Sequence, residues 1–183
     1  MTVALENFGN NGLKQPVSFR APNLVINNDT IRLLEEYHLY VDSSAPSYYG
    51  VPPLPFKPLG QRSRLITIPV TASPLPKFKI KYLLPYSHYK MFTMPTLVAL
   101  AIEALIDYIK TIVSFQNSLG ITPHLVFVAH SWEFGDVGNR RKFQHCSSAN
   151  YNLLESRFRQ LRGAFDIKFV TISELYEVLS REF

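Results

Sequence analysis

Cysteine is nearly missing from this chain. Cys146 stands alone, so no intramolecular disulfide can form, and the pattern fits a reducing compartment. The 8 glycines form neither a G-x-G-x-x-G nor a Walker pattern, which removes the common phosphate-loop proteins. No long apolar run is free of charge. The best stretch, residues 97–119, carries Glu103, Asp107 and Lys110, so no membrane span is expected. The opening residues, MTVALENFGNNGLK, lack both a basic segment and an apolar one. No signal peptide is read there, and a cytoplasmic location is the expectation. Long charge runs are missing as well. Against 14 Asp+Glu the chain sets 19 Lys+Arg, and the densest basic group is only Arg140-Arg141-Lys142. A nucleic-acid surface would show a stronger basic stripe with stacking aromatics, so no nucleic-acid partner is expected.

What is present suffices for a folded core. Apolar residues make up 46% of 183, which argues against disorder and for a single domain spanning residues 1–183. Short β-rich runs occupy residues 17–19, 39–41, 65–70, 125–129 and 168–171. Most are continuously apolar and do not alternate, as strands covered on both faces do. Helical patterns lie between them. Asn28 or Asp29 can cap a helix over 30–37 that carries Ile31, Leu34 and Tyr37 on one stripe. Pro95 suits the first turn of a long helix that Gly120 ends. A third helix is expected over 149–161. A fourth follows Thr171, which stands at capping-box spacing from Glu174. Strands alternating with helices predict an α/β domain with a mostly parallel sheet. Two proline-rich segments, 45–60 and 72–94, interrupt the rhythm. Long ordered loops on such a scaffold either carry function or simply pack on the surface.

Chemistry-bearing residues gather at the ends of the β runs. Arg20 ends the first, and Pro22 restricts Ala21 to extended geometry, so the exit is stiff. A guanidinium there can clamp a carboxylate with two parallel bonds, or serve a structural ion pair. Asp42 ends the second run within Val41-Asp42-Ser43-Ser44. It can orient a cationic group, or close the strand exit as an Asx turn. His130 ends HLVFVAH, a suitable place for a general acid or base, and equally for a hydrogen-bonded structural histidine. Trp132 beside it can offer an apolar wall or a face for a sugar ring. A Ser-His-Asp reading from Ser131, His130 and Asp136 lacks a nucleophile elbow. A zinc reading from His130, Glu133 and His145 lacks H-E-x-x-H spacing. His145-Cys146 alone supplies too few ligands for a metal site.

Taken together, VSFRAPNLVINNDTIRLLEEYHLYVDSS, LITIPV, LVFVAHSWEF and FVTISELYEVL resemble, in order and spacing, the polysaccharide deacetylases of carbohydrate esterase family four. The resemblance covers nearly the whole chain from Val17. It implies the C-terminal part of a distorted (β/α) barrel, with mostly parallel strands alternating with helices. It also implies a hydrolase of the carbon–nitrogen amide bonds in N-acetylated carbohydrate. That family uses a divalent metal, commonly zinc, held by one Asp and two His, with a second Asp as base. By this resemblance His130 is the catalytic acid, Arg20 orients the base aspartate, and Asp42 tunes the acid. Asn23 offers its backbone N–H to the oxyanion, and Trp132 lines the sugar groove.

The same resemblance exposes a gap. The family's adjacent aspartates and its His-x-x-x-His do not occur here: the histidines at 38, 88, 124, 130 and 145 contain no pair four apart. The domain is therefore expected to be incomplete on its N-terminal side, to bind no metal by itself, and to be inactive alone as a subunit or truncated product. A non-catalytic relative that binds carbohydrate or a partner is the alternative. A part-barrel would expose a strand edge, so a second chain or self-association is expected to cover it. Analytical ultracentrifugation of the purified chain should then show a dimer or larger species. A monodisperse monomer across the micromolar range would contradict the open-edge expectation.

Overall fold

A computed structural model describes residues 2–45, 54–74, 89–136 and 146–182. The chain is a mixed helix-and-strand protein whose residues cluster into two compact units. The first comprises 1–45, 54–69 and 170–183, and the second 46–53 and 70–169.

The first unit is built on short parallel strands. Strands β1 (Ser18–Phe19), β2 (Val41–Asp42) and β3 (Ile66–Thr67) form a three-stranded sheet in that order. Ser18 lies opposite Val41, and Asp42 opposite Thr67. On the far side of β3, Phe56 and Thr67 exchange backbone bonds of 3.0 and 2.8 Å in an antiparallel bridge. That pairing covers β3 at Thr67, while β1 stands at the edge of the described ladder. Helix α1 (Thr2–Asn10) precedes β1, a helix that apolar spacing did not reveal because it buries no residue. Helix α2 (Asn28–Glu36) joins β1 to β2 as a parallel crossover requires. Its cap is Asn27, one residue ahead of the expected pair. Asn27 Oδ1 accepts from both the N–H and the hydroxyl of Thr30 at 2.8 Å. The helix ends on His38 at φ +59°, with Leu39 N–H bonded back to Leu34 O at 2.8 Å. That is a Schellman ending with histidine where glycine is usual, held by the packing of Leu34, Leu39 and Leu65 in one core cluster.

In the second unit, β4 (Ala72–Pro74) and β5 (Tyr89–Met91) pair antiparallel, within a segment expected only as loop. The single long helix expected from Pro95 is two helices, α3 (Met94–Ala99) and α4 (Ile102–Ser118). Leu100 and Ala101 between them are extended, and Arg157 Nη2 donates to the Leu100 carbonyl at 2.9 Å. A tertiary donor takes the carbonyl that a continuous helix would have used, and apolar periodicity does not register that exchange. Gly120 at φ +71° closes α4 as its position predicts. Helix α5 (Asn150–Ala164) lies against both α3 and α4. Phe92, Leu97, Leu105, Tyr108, Ile109, Ile112 and Leu161 form this unit's core.

Two expected strands are corrected. Residues 125–129 make one parallel bridge, Thr93 to Val128. The Val126 N–H goes to the Thr71 hydroxyl at 2.7 Å, which interrupts a backbone ladder there. Residues 168–171 form no strand. The half-exposed Phe169 ring instead meets Phe158 of α5, centroids 5.0 Å apart, with the Arg162 guanidinium over it. Thr171 caps α6 (Ile172–Leu179) through the predicted capping box, its N–H bonding Glu174 Oε2 at 2.7 Å. Parts of the proline-rich segments, the basic group at 140–142, His88 and His145 lie outside the described residues.

Tyr108 ties α4 to the β4–β5 pair. It is fully buried, and its hydroxyl donates to Lys90 O at 2.7 Å. Burial pushes its acidity far from the working range, so it stays a neutral donor. Tyr108→Phe should lower the unfolding free energy by about 1–2 kcal/mol in urea titration, with the slope unchanged. A loss below about 0.3 kcal/mol would show that this bond carries no net stability.

Candidate functional site

The carboxyl ends of parallel strands are where α/β proteins place their ligands. In the first unit those ends are joined by three consecutive residues of the β2 exit. Asp42, Ser43 and Ser44 are all buried. Asp42 Oδ1 accepts from the Ser44 N–H at 3.0 Å, and Oδ2 from the Thr67 hydroxyl of β3 at 3.1 Å. This is the Asx-turn alternative, realised and extended by a bond to the neighbouring strand. The Ser44 hydroxyl accepts from the Ala21 N–H at 2.9 Å, which pins the residue after Arg20. Ser43 sits between the outer strands. Its N–H bonds Phe19 O at 2.9 Å, and its hydroxyl donates to Ile68 O at 3.0 Å.

Arg20 is held on this frame. Its Nε donates to the Ser43 carbonyl at 3.0 Å and its Nη2 to the Ser43 hydroxyl at 2.9 Å. Both bonds use the same side of the guanidinium. The residue as a whole is exposed. Burial of the group lowers its basicity from the ordinary arginine value, and the charge of Asp42 opposes that. Burial pushes the Asp42 carboxyl above the usual carboxylate range. Bonds from Ser44 and Thr67, and the charge of Arg20, offset part of the rise. The side-chain contact expected of Arg20 with a carboxylate is thus made with serine oxygens, and Asp42 spends both its oxygens on other groups.

Asn23 follows in a tight turn over Pro22–Leu24. Asn23 and Leu24 both adopt left-handed φ, +54° and +57°. Asparagine tolerates that region, while leucine pays a steric penalty there. Strain of this kind, three and four residues beyond a pinned arginine, accompanies many binding sites. Asn23 is exposed.

His130 and Trp132 belong to the second unit. Their rings stack face to face, centroids 4.1 Å apart and 8° from parallel, and Trp132 remains 48% exposed. A short turn, Ser131–Phe134, places them side by side. Its buried Glu133 anchors it: Oε2 accepts the His130 N–H at 2.7 Å, and its carbonyl accepts Asn150 Nδ2 at 2.6 Å from the start of α5. The arrangement therefore brings Arg20, Asp42 and Asn23 together in one unit, and His130 with Trp132 in the other. The residues that spacing missed are Ser43, Ser44 and Thr67. Their signal was the Asp-Ser-Ser run directly after a β run, a turn-forming triplet.

A metal of the kind the deacetylase resemblance implies needs one carboxylate and two imidazoles around one point. Among the described residues no group of three or more His, Cys, Asp or Glu is assembled that could hold a metal ion. Asp42 does not fit the ligand role, since it is buried and is not part of any such group. No helix among the described residues is long and apolar enough to cross a membrane. No protein-family model, no curated protein and no solved structure matches the chain.

Because the folded-state pKa of Asp42 is raised, the folded protein holds this proton more tightly than the unfolded chain. Its contribution to stability is fullest below the unfolded value of about 3.9 and is lost as pH rises through the folded value. Denaturation at several pH values should therefore show the wild type losing stability relative to Asp42→Asn as pH rises. Asp42→Ala should cost about 1–3 kcal/mol at every pH, since it strands the Ser44 N–H. A wild type that gains on Asp42→Asn with rising pH would mean that the Arg20 charge outweighs burial.

Proposed function

We propose that this chain is a polysaccharide-deacetylase-like protein of the metal-dependent amidohydrolase type, acting on N-acetylated carbohydrate. It works as one part of such an enzyme, with the metal ligands supplied by another polypeptide, and is inactive alone. Its parallel strands then form a segment of a distorted (β/α) barrel that the partner or a second copy completes at the β1 edge. The observation that carries this reading is Arg20, immobilised at the carboxyl end of a parallel strand by both hydrogen-bonding groups of Ser43. An arginine so restrained is suited to orienting a carboxylate, the task the R-x-P resemblance gives it.

In this reading each described residue has a bounded task. Arg20 orients a base aspartate that this sequence lacks. Asn23 offers its backbone N–H to the developing oxyanion. His130 protonates the departing amine. Trp132 presents its open face to the sugar ring. Asp42 acts indirectly, by closing the turn that positions Ser43. The metal would polarise the N-acetyl carbonyl, but the described residues do not supply its donors.

A second reading, a carbohydrate-binding relative without catalysis, is favoured by the exposed His130–Trp132 stack, which can bind a sugar without any metal. One experiment addresses both. The purified chain is titrated with N-acetylchitooligosaccharides, with and without zinc. Acetate release and the emission of Trp132, the chain's 1 tryptophan, are followed together. Saturable emission change without acetate release is expected, and Trp132→Ala should weaken binding roughly fivefold, about 1 kcal/mol. Acetate release by the chain alone would contradict the part-enzyme reading. No binding at millimolar oligosaccharide would contradict both.

A further inference from the structure

We infer that Arg20 is a receptor for the carboxylate of a small monoanionic ligand, bound by the end of its guanidinium. An arginine presents two forks of parallel N–H groups, one along the side through Nε and Nη2, and one across the end through Nη1 and Nη2. The side fork is committed to Ser43, by bonds of 3.0 and 2.9 Å. The end fork, comprising Nη1 and the remaining hydrogen of Nη2, takes no partner among the described residues. It belongs to an exposed residue.

Charge makes that opening chemically pointed. The guanidinium is partly desolvated, yet its bonds go to neutral serine oxygens. Asp42 influences it through space but turns its own oxygens to Ser44 and Thr67. A cation in this state gains more from an arriving oxyanion than one fully hydrated or already paired. Preorganisation adds to the gain. Ser43 is buried and tied to both β1 and β3, so the fork is immobilised before the ligand comes.

Charge discriminates among anions where fork geometry does not, since an arginine fork suits carboxylate and phosphate alike. A planar carboxylate matches the two parallel N–H groups of the end fork. A phosphate dianion brings twice the charge to a place with one guanidinium and the Asp42 carboxyl nearby, so a monoanion is preferred. The inference rests on the fork geometry and is an alternative to the base-orienting task of Arg20 in the deacetylase reading, since one end fork holds one carboxylate. Inactivity toward N-acetyl sugars leaves it standing.

The test uses the full chain labelled with nitrogen-15, observing the arginine Nε–Hε signals. Sodium glucuronate is added at constant ionic strength, with sodium chloride, glucose and inorganic phosphate as separate arms. A saturable shift of the Arg20 signal with glucuronate, absent with glucose and chloride, is expected. Arg20→Lys keeps the charge but loses the fork, and should weaken glucuronate binding about tenfold. Because the wild-type titration reads Arg20 directly, it decides the matter even if the lysine variant folds poorly. An Arg20 signal that moves equally with chloride, moves with glucose, or saturates more tightly with phosphate than with glucuronate overturns the inference. So does a folded Arg20→Lys protein that binds glucuronate as tightly as the wild type.

Discussion

The hydrogen bonds of Ser43 are the constraint on which the first unit's functional end depends. Parallel strands as short as these share few ladder bonds, and a two-residue strand has little register of its own. The β2 exit supplies what the ladder lacks. Ser43 reaches β1 through Phe19 O and Arg20, and the β3 side through Ile68 O. Asp42 and Ser44 add Thr67 and Ala21 to the same network. The carboxyl ends of all three strands are therefore held by side chains. Those side chains are buried polar groups with their partners present, which makes the network specify one arrangement.

This arrangement sets two charges against the cost of burial. Asp42 is nearly inaccessible, so its carboxyl is raised, and the bonds from neutral donors offset only part of that rise. Arg20 is lowered for the same physical reason. Neither group is relieved by direct bonding to the other: both Asp42 oxygens, and the Nε–Nη2 side of Arg20, are bonded to hydroxyl or backbone groups. Evolutionarily cheap alternatives to such a pair exist, since apolar residues often fill a site with equal or better stability. The second unit uses neutral polar groups for a similar end. Gln116 bonds both the N–H and the carbonyl of His124, and Asn150 holds the turn that carries His130 and Trp132.

The α/β class was legible because continuous apolar runs alternated with helical stripes. The parallel pairing of β1, β2 and β3 follows from that pattern. Caps were legible where a side chain dictates local geometry, as at Thr171 with Glu174 and at Gly120. Failures came where a distant group took over a backbone atom. Arg157 on the Leu100 carbonyl splits a helix that spacing joins, and the Thr71 hydroxyl on the Val126 N–H reduces an apolar run to one bridge. The placement of Arg20 at a strand end was readable from F-R-A-P. Its partner was not, because serine carries no charge to suggest it and lies 23 positions away. Asp42 allowed both an electrostatic and a turn role by spacing, and the structure shows the turn.

Ser43 immobilises the Arg20 guanidinium. Nitrogen-15 relaxation at Arg20 Nε measures this directly, in the wild type and in Ser43→Ala. The wild-type order parameter should lie close to that of rigid backbone, about 0.8, and should fall below about 0.6 when the hydroxyl is removed. An Arg20 Nε already mobile in the wild type, or unchanged in Ser43→Ala, would contradict it.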